Sequence, residues 1–230
     1  MSKRELQFNP TEDQTFELVG GGKYNFVRTK EAADSLDAEG RYNEACEARF
    51  QAFQLLVDAL PEDEAMVLRW EHANSRAAMM LLHGSAVDHF RIGDLEMAMG
   101  QLEVLLECDP EDHLEALNLL ALCYVATEEW DAYDDVVIDL TDKSAEAVIV
   151  RLWAEFARGG AIDGGLFALL KSRHKAYYAE FTAVEHPDDE AFRRDIMSER
   201  PSQGAQAREW WLITEPLWAE FPEFIEALKK

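Results

Sequence analysis

The sequence predicts an all-α fold, and three observations lead to that prediction. From Thr29 onward, apolar residues recur every three or four positions, which places them on one face of a helix. Glycine turns and an Asp-Pro stop interrupt this pattern at intervals of about one helix length. Alternating apolar and polar runs, typical of strands, are nearly absent after residue 30. The composition, 48% hydrophobic and 30% charged, is that of a globular protein.

The N-terminal segment, residues 1–28, differs from the rest of the chain. Short apolar–polar runs surround Gly20, Gly21 and Gly22 and predict a small hairpin or an extended arm. Lys23 follows the glycines, but the glycine spacing and the Ser or Thr of a phosphate-binding loop are absent. We therefore expect a turn at these glycines and no nucleotide site.

Two helical segments follow, residues 29–160 and residues 161–230. Thr29 is the expected N-cap of the first helix, and the long pattern at 63–91 predicts one helix or two that break near Asn74 and Ser75. The predicted helices run over 29–40, 41–60, 63–91, 95–108, 113–126, 130–140 and 145–158, and then over 163–183, 188–199, 203–213 and 222–228.

One turn pattern occurs three times. A tight turn is followed by a bulky residue and then by an alanine, as in Gly40-Arg41-Tyr42 with Ala45, Gly93-Asp94-Leu95 with Ala98, and Glu128-Glu129-Trp130 with Ala132. Ala98 and Ala132 lie 34 residues apart, whereas Ala45 and Ala98 lie 53 apart. A small residue at this place lets two helices approach closely, and the bulky residue fills the space beside them.

Together with the stop at Asp109-Pro110, this pattern resembles the tetratricopeptide repeat (TPR). The resemblance is good over 79–112, fair over 113–146, and weaker over 30–61 and 147–160. Thr141–Ser144 stand where the second good repeat would have its proline stop. The resemblance implies an α-α superhelix of about three helix pairs, residues 29–160, followed by C-terminal helices that pack on it. An unrelated helical bundle is the alternative.

The resemblance also implies a concave groove lined by the first helix of each repeat. The matching positions are Met80, His83, Val87, Phe90 and Arg91 in one repeat and Leu114, Leu117, Ala121, Tyr124 and Val125 in the next. The lining is mostly apolar, with Arg91 as its one fixed cation, so a clamp for a C-terminal carboxylate is not expected. Such a groove would receive a protein or peptide, for example an amphipathic or basic helix, or would be filled by the chain's own C-terminal helices.

The residues show no catalytic, cofactor-binding or metal-binding motif. The six histidines include no i,i+4 pair, and the carboxylates of residues 128–135 lack the spacing of a calcium loop. Cys46, Cys108 and Cys123 show no CxxC spacing and are predicted to be buried thiols in a reducing compartment. We expect no enzyme activity, no cofactor and no metal.

The net charge of −24 is concentrated in the centre of the chain. Residues 61–150 carry 4 basic and 21 acidic residues. Because this charge repels phosphate backbones, no nucleic-acid partner is expected, whereas a basic protein would fit. A solvated acidic shell is the alternative. No stretch of 18 apolar residues and no apolar leader occurs, which predicts no membrane partner and a cytoplasmic location.

The C-terminal segment is rich in large apolar side chains: Trp210, Trp211, Leu212, Trp218, Phe221, Phe224 and Ile225. A soluble monomer would not leave them all exposed, so they cover either the end of the helical array or a second copy in a possible homodimer. The basic–aromatic segment Lys171–Tyr178 is expected to dock on the acidic centre, within the chain or across a dimer.

Three functions stay open at this point. The first is a non-catalytic adaptor or scaffold that binds a protein. The second is a self-occluded helical domain that acts through homo-oligomerisation, and the third is an enzyme whose site no motif shows.

Overall fold

In the computed structural model, which describes residues 6–61, 65–141 and 143–230, the chain is mostly helical, as predicted. The described part contains one two-stranded sheet, β1 (Gln7–Pro10) and β2 (Phe16–Val19), and twelve α-helices. The helices are α1 (Phe26–Ala38), α2 (Tyr42–Val57), α3 (Ala73–Arg91), α4 (Leu95–Cys108), α5 (Ala116–Ala126), α6 (Trp130–Val136), α7 (Ala145–Gly159), α8 (Gly164–Arg173), α9 (Lys175–Phe181), α10 (Glu190–Ile196), α11 (Gln203–Glu220) and α12 (Pro222–Leu228). Short 3-10 turns occupy Gly22–Tyr24 and Val137–Asp139.

The chain forms two compact units. The first contains Met1–Phe90 and Asp94–Leu120, and the second contains Arg91–Gly93 and Ala121–Lys230. Within the ranges that the structure describes, no helix is both long enough and apolar enough to cross a membrane.

The strands of the first unit form an antiparallel hairpin in which Phe8 lies opposite Leu18. The hairpin turn lies at residues 11–15, where the backbone N–H of Thr11 donates to the carbonyl of Thr15 over 2.9 Å. The sequence pattern had placed the turn around Gly20–Gly22, but these glycines follow β2 and lead into a 3-10 turn. In this turn Gln14 adopts the left-handed conformation, with φ of 67°, and Thr and Asp side chains bond to the backbone around it.

The segment before α3 is extended, whereas a helix was predicted from residue 63; residues 62–64 lie outside the described part. Phe16 N–H donates to the Val67 carbonyl over 2.8 Å, and Leu68 N–H donates to the Cys108 carbonyl over 2.8 Å. The backbone groups of residues 67–69 therefore bond to neighbouring chain segments, and a turn in which His72 N–H donates to the Arg69 carbonyl over 3.2 Å leads into α3, so the segment is not a helix.

The first turn of α3 anchors the hairpin. The Asn74 side chain accepts a hydrogen bond from Phe26 N–H over 2.8 Å and donates to the Leu18 carbonyl over 3.1 Å. The Ser75 hydroxyl accepts from Leu18 N–H over 3.0 Å. Asn74 and Ser75, where a break in a long helix was predicted, therefore lie in the first turn of α3. In the same way α1 begins earlier than predicted, at Phe26, with Asn25 as its N-cap instead of Thr29.

The three predicted turns have the same backbone geometry. Gly40, Gly93 and Glu128 all adopt the left-handed conformation, with φ of 74°, 80° and 61°. In each turn the N–H of the next residue donates to a carbonyl five residues back; these bonds are Arg41 to Leu36, Asp94 to His89 and Glu129 to Tyr124, at 2.8, 3.0 and 2.8 Å. This is the hydrogen bond of a Schellman helix end, and the next helix begins one residue later at Tyr42, Leu95 and Trp130.

When the three helix pairs are aligned on the left-handed residue of each turn, the position that matches Ala45 and Ala98 is Tyr133 and not Ala132. The residues five positions after the left-handed residue are Ala45, Ala98 and Tyr133, all buried, whereas Ala132 is only half-buried. The turns at Gly93 and Glu128 are 35 residues apart, not 34. Tyr133 therefore occupies the small-residue position in the third helix pair, α5 and α6, so that pair departs from the pattern more than the sequence suggested.

The core of the second unit is built around α7. Trp153 is 2% exposed, and its ring lies 5.2 Å from those of Trp218 and Phe221. Phe156 contacts Phe224 with 5.8 Å between ring centroids. The α11–α12 segment therefore packs its aromatic side chains on α7.

Candidate protein-interaction site

The ten predicted groove positions differ in exposure. Phe90, Ala121, Tyr124 and Val125 are buried, Met80, His83, Val87, Leu114 and Leu117 are half-buried, and Arg91 is exposed. All five half-buried positions belong to the first unit, whereas Arg91, Ala121, Tyr124 and Val125 belong to the second. A partner could contact the half-buried positions without any change in the fold.

Three of the half-buried positions form a stripe on α3. Met80, His83 and Val87 are spaced by three and four residues, which places them on one helix face. Burial lowers the pKa of His83 to about 4, so its imidazole is neutral at pH 7. This α3 stripe (Met80, His83, Val87) is therefore uncharged near neutral pH.

A half-buried ion-pair network fixes the position of α3. Arg49 of α2 donates to Asp88 through Nε at 2.6 Å and Nη2 at 3.0 Å, and to Asp37 of α1 through Nη1 at 2.6 Å. A Cβ added to Gly84 would lie 2.6 Å from Cδ of Arg49, so glycine leaves room for the Arg49 side chain against α3. The stripe is thus displayed by a firmly held helix.

A second surface surrounds α6 in the second unit. Residues 127–139 contain six exposed carboxylates and no Lys or Arg; the carboxylates are Glu128, Glu129, Asp131, Asp134, Asp135 and Asp139. Ile138 in the same segment is 81% exposed. We call these seven residues, with Trp130 and Tyr133, the α6 surface.

Arg158 from the end of α7 lies on the aromatic part of this surface. Its guanidinium carbon is 4.5 Å from the ring centroid of Trp130 and 5.4 Å from that of Tyr133. Its Nη2 donates to Asp134 over 2.7 Å. The α6 surface therefore binds a guanidinium by combined cation–π contact and ion pairing. The sequence alone did not indicate Arg158, because no local pattern links residues so far apart in the chain.

Of the three cysteines predicted to be buried, Cys108 and Cys123 are buried, whereas Cys46 is half-buried. Burial raises the pKa values of Cys108 and Cys123 to about 12, so both are thiols at neutral pH. Across the residues that the structure describes, no group of three His, Cys, Asp or Glu side chains is placed to hold a metal ion.

The C-terminal aromatic residues and the basic segment Lys171–Tyr178 are located in the second unit. Trp211, Trp218, Phe224 and Ile225 are buried, whereas Trp210, Leu212 and Phe221 are half-buried. In the basic segment, Lys171, Arg173 and Lys175 are exposed, but Tyr177 is buried and its hydroxyl bonds to Glu146. That ring is therefore not available to stack on a base.

Comparison with family models, curated proteins and solved structures gives no match for this chain.

Proposed function

We propose that this chain is a non-catalytic, TPR-like adaptor that binds a segment of a partner protein along the apolar groove positions. The repeated Schellman turns at Gly40, Gly93 and Glu128 support the repeat, because a left-handed residue and the same hydrogen bond join the two helices of each pair. The array diverges from a regular repeat in the third helix pair, where Tyr133 stands at the position that alanine occupies in the first two pairs.

The observation that carries the proposal is the half-exposed, uncharged α3 stripe. The large side chains of Met80 and Val87 retain accessible apolar surface on one helix face, and the neutral His83 between them adds no charge. Apolar residues spaced in this way on a firmly held helix fit the apolar face of an amphipathic helix. Leu114 and Leu117 add half-buried apolar surface in the same unit.

The adaptor proposal is tested by affinity capture from native lysate with the full chain as bait. The test variant is Met80→Glu with Val87→Glu, and the matched control is Val57→Glu with Met97→Glu, two apolar residues of the first unit that are each 37% exposed. We expect partner proteins, identified by mass spectrometry, to be lost from the test variant and kept by the control, because only the first pair charges the stripe. Thermal melting by circular dichroism checks that both variants fold.

The proposal would be contradicted if the wild type, the test variant and the control variant all captured the same proteins. It would also be contradicted if the wild type captured none. A chain truncated after Gly204 is not a suitable bait, because α11 and α12 contain Trp218 and Phe224, which pack in the core of the second unit.

A self-occluded helical domain that acts through homo-oligomerisation is the second candidate function. The burial of Phe90, Ala121, Tyr124 and Val125 favours it, because buried positions offer a partner no surface. The oligomeric mass separates the two candidates.

A further inference from the structure

We infer that the α6 surface is a second docking surface, one that binds an arginine-bearing basic segment of a partner protein. It lies apart in sequence from the α3 stripe and does not depend on the groove.

The contact of Arg158 shows which chemical group this surface accepts. Its guanidinium lies over the ring of Trp130 at 4.5 Å while Nη2 pairs with Asp134 at 2.7 Å. An aromatic face beside a carboxylate is the arrangement that binds a planar cation. Trp130 is half-buried and Arg158 is part-exposed, with 36% of its side chain accessible, so a partner arginine that displaces Arg158 reaches the Trp130 ring from solvent.

Charge complementarity identifies the occupant. Of the six carboxylates on the α6 surface, Asp134 alone takes part in an ion pair in the part of the chain that the structure describes. The other five offer exposed charge to a cationic segment within the screening length of about 8 Å at physiological salt. Ile138, 81% exposed, adds apolar surface beside them.

The net charge favours a basic partner over a second copy of this chain. Each copy carries −24, so two copies repel one another, whereas a basic segment is attracted from a distance. The surface should also prefer arginine to lysine, because the planar guanidinium stacks on indole and pairs with carboxylates in a bidentate way.

The test measures binding of a fluorescein-labelled nona-arginine peptide to the full chain by anisotropy, with nona-lysine as the comparison peptide. Asp131→Asn with Asp135→Asn removes two of the six negative charges of the α6 surface, and the matched control Glu220→Gln with Glu223→Gln removes two exposed charges elsewhere in the second unit. We expect the α6 variant to bind nona-arginine about five- to ten-fold more weakly and the control less than about two-fold more weakly, since each lost pair weakens binding by a few-fold.

Two further variants test the aromatic contact. Trp130→Leu should remove a preference of about three-fold for nona-arginine over nona-lysine, the size expected of an exposed cation–π contact. Arg158→Gln should strengthen nona-arginine binding more than Arg173→Gln does, because both remove one positive charge but only the first frees the Trp130 ring and the Asp134 carboxylate. This pair of variants keeps the test decisive if Trp130→Leu does not fold.

Equal weakening by the α6 and control neutralisations would overturn the inference, since binding would then be a diffuse attraction to an acidic chain. Equal affinity of the wild type for nona-arginine and nona-lysine would also overturn the inference. So would self-association of the wild type through binding of Lys171–Lys175 of a second copy to the α6 surface. Met80→Glu with Val87→Glu should bind nona-arginine as the wild type does, so the outcome here is separate from that of the adaptor proposal.

Discussion

Glu180 is a buried carboxylate held by Arg208 and His186. Its side chain is 8% exposed, accepts from Arg208 Nη2 at 2.9 Å and contacts His186 Nδ1 at 2.8 Å. Burial alone would raise its pKa, but the hydrogen bonds from Arg208 and His186 outweigh burial and lower the pKa of Glu180. The His186 ring also stacks on Trp211 at 4.1 Å, so this cluster fastens the loop after α9 to α11.

Glu180→Gln should lower the free energy of unfolding by about 2 kcal/mol at pH 7, because the variant leaves the half-buried guanidinium of Arg208 without its carboxylate. A lowered pKa in the folded state stabilises the fold above the ordinary glutamate pKa of about 4.3. This contribution is lost as the pH falls through the lowered pKa of Glu180.

Urea unfolding at pH 7 and at pH 3 measures the effect, with Glu215→Gln, an exposed position of α11, as the control. The difference between wild type and Glu180→Gln should shrink at pH 3. A Glu180→Gln protein as stable as wild type at pH 7 would show that the cluster contributes nothing.

At the scale of elements, the contact between α7 and α11 organises the second unit. Trp218 is 2% exposed, meets Trp153 edge-on at 85°, and donates its indole N–H to the Thr214 hydroxyl over 2.8 Å. Pro216 lies inside α11, where most helices would break, and the helix nevertheless continues to Glu220. Packing of the aromatic face compensates for the hydrogen bond that the proline removes.

Trp218→Ala should therefore destabilise the second unit by about 3–5 kcal/mol, the usual effect of removing a buried aromatic ring. Met197→Ala, at a residue 85% exposed, should change stability by less than about 0.5 kcal/mol. Urea unfolding followed by far-ultraviolet circular dichroism compares the two variants. Equal midpoints for both would mean that α11 does not hold the unit together.

At the scale of the whole molecule, the net charge and the burial of the C-terminal aromatic residues both favour a monomer. The sequence suggested that the C-terminal aromatic residues cover the end of the array or a second copy. Their contacts with Trp153 and Phe156 lie within their own unit, so most of this apolar surface is already covered. Two chains that each carry −24 also repel one another.

We accordingly expect a monomer of 26.2 kDa by light scattering at both 50 and 500 mM NaCl. A mass that is doubled at 50 mM and falls at 500 mM would indicate charge-driven docking of Lys171–Lys175 on the acidic centre of another copy. A doubled mass at both salt concentrations would support the homo-oligomeric alternative.

Helix positions were largely predictable because they depend on local periodicity and capping. The bounds of α4, Leu95–Cys108, agree with the predicted 95–108, since Asp94 caps one end and Asp109-Pro110 stops the other. The prediction was wrong for residues 65–72, where the backbone of residues 67–69 bonds to β2 and to Cys108 and a turn at residues 70–72 follows.

The sequence by itself determined the mostly helical fold, the three turns and the acidic α6 surface, because each depends on residues that are neighbours in the chain. Only the tertiary structure decided which groove positions stay accessible, that Arg158 lies on Trp130, and that Glu180 holds Arg208 and His186. Burial and charge pairing of this kind depend on side chains that folding brings together from distant positions, and no local pattern encodes them.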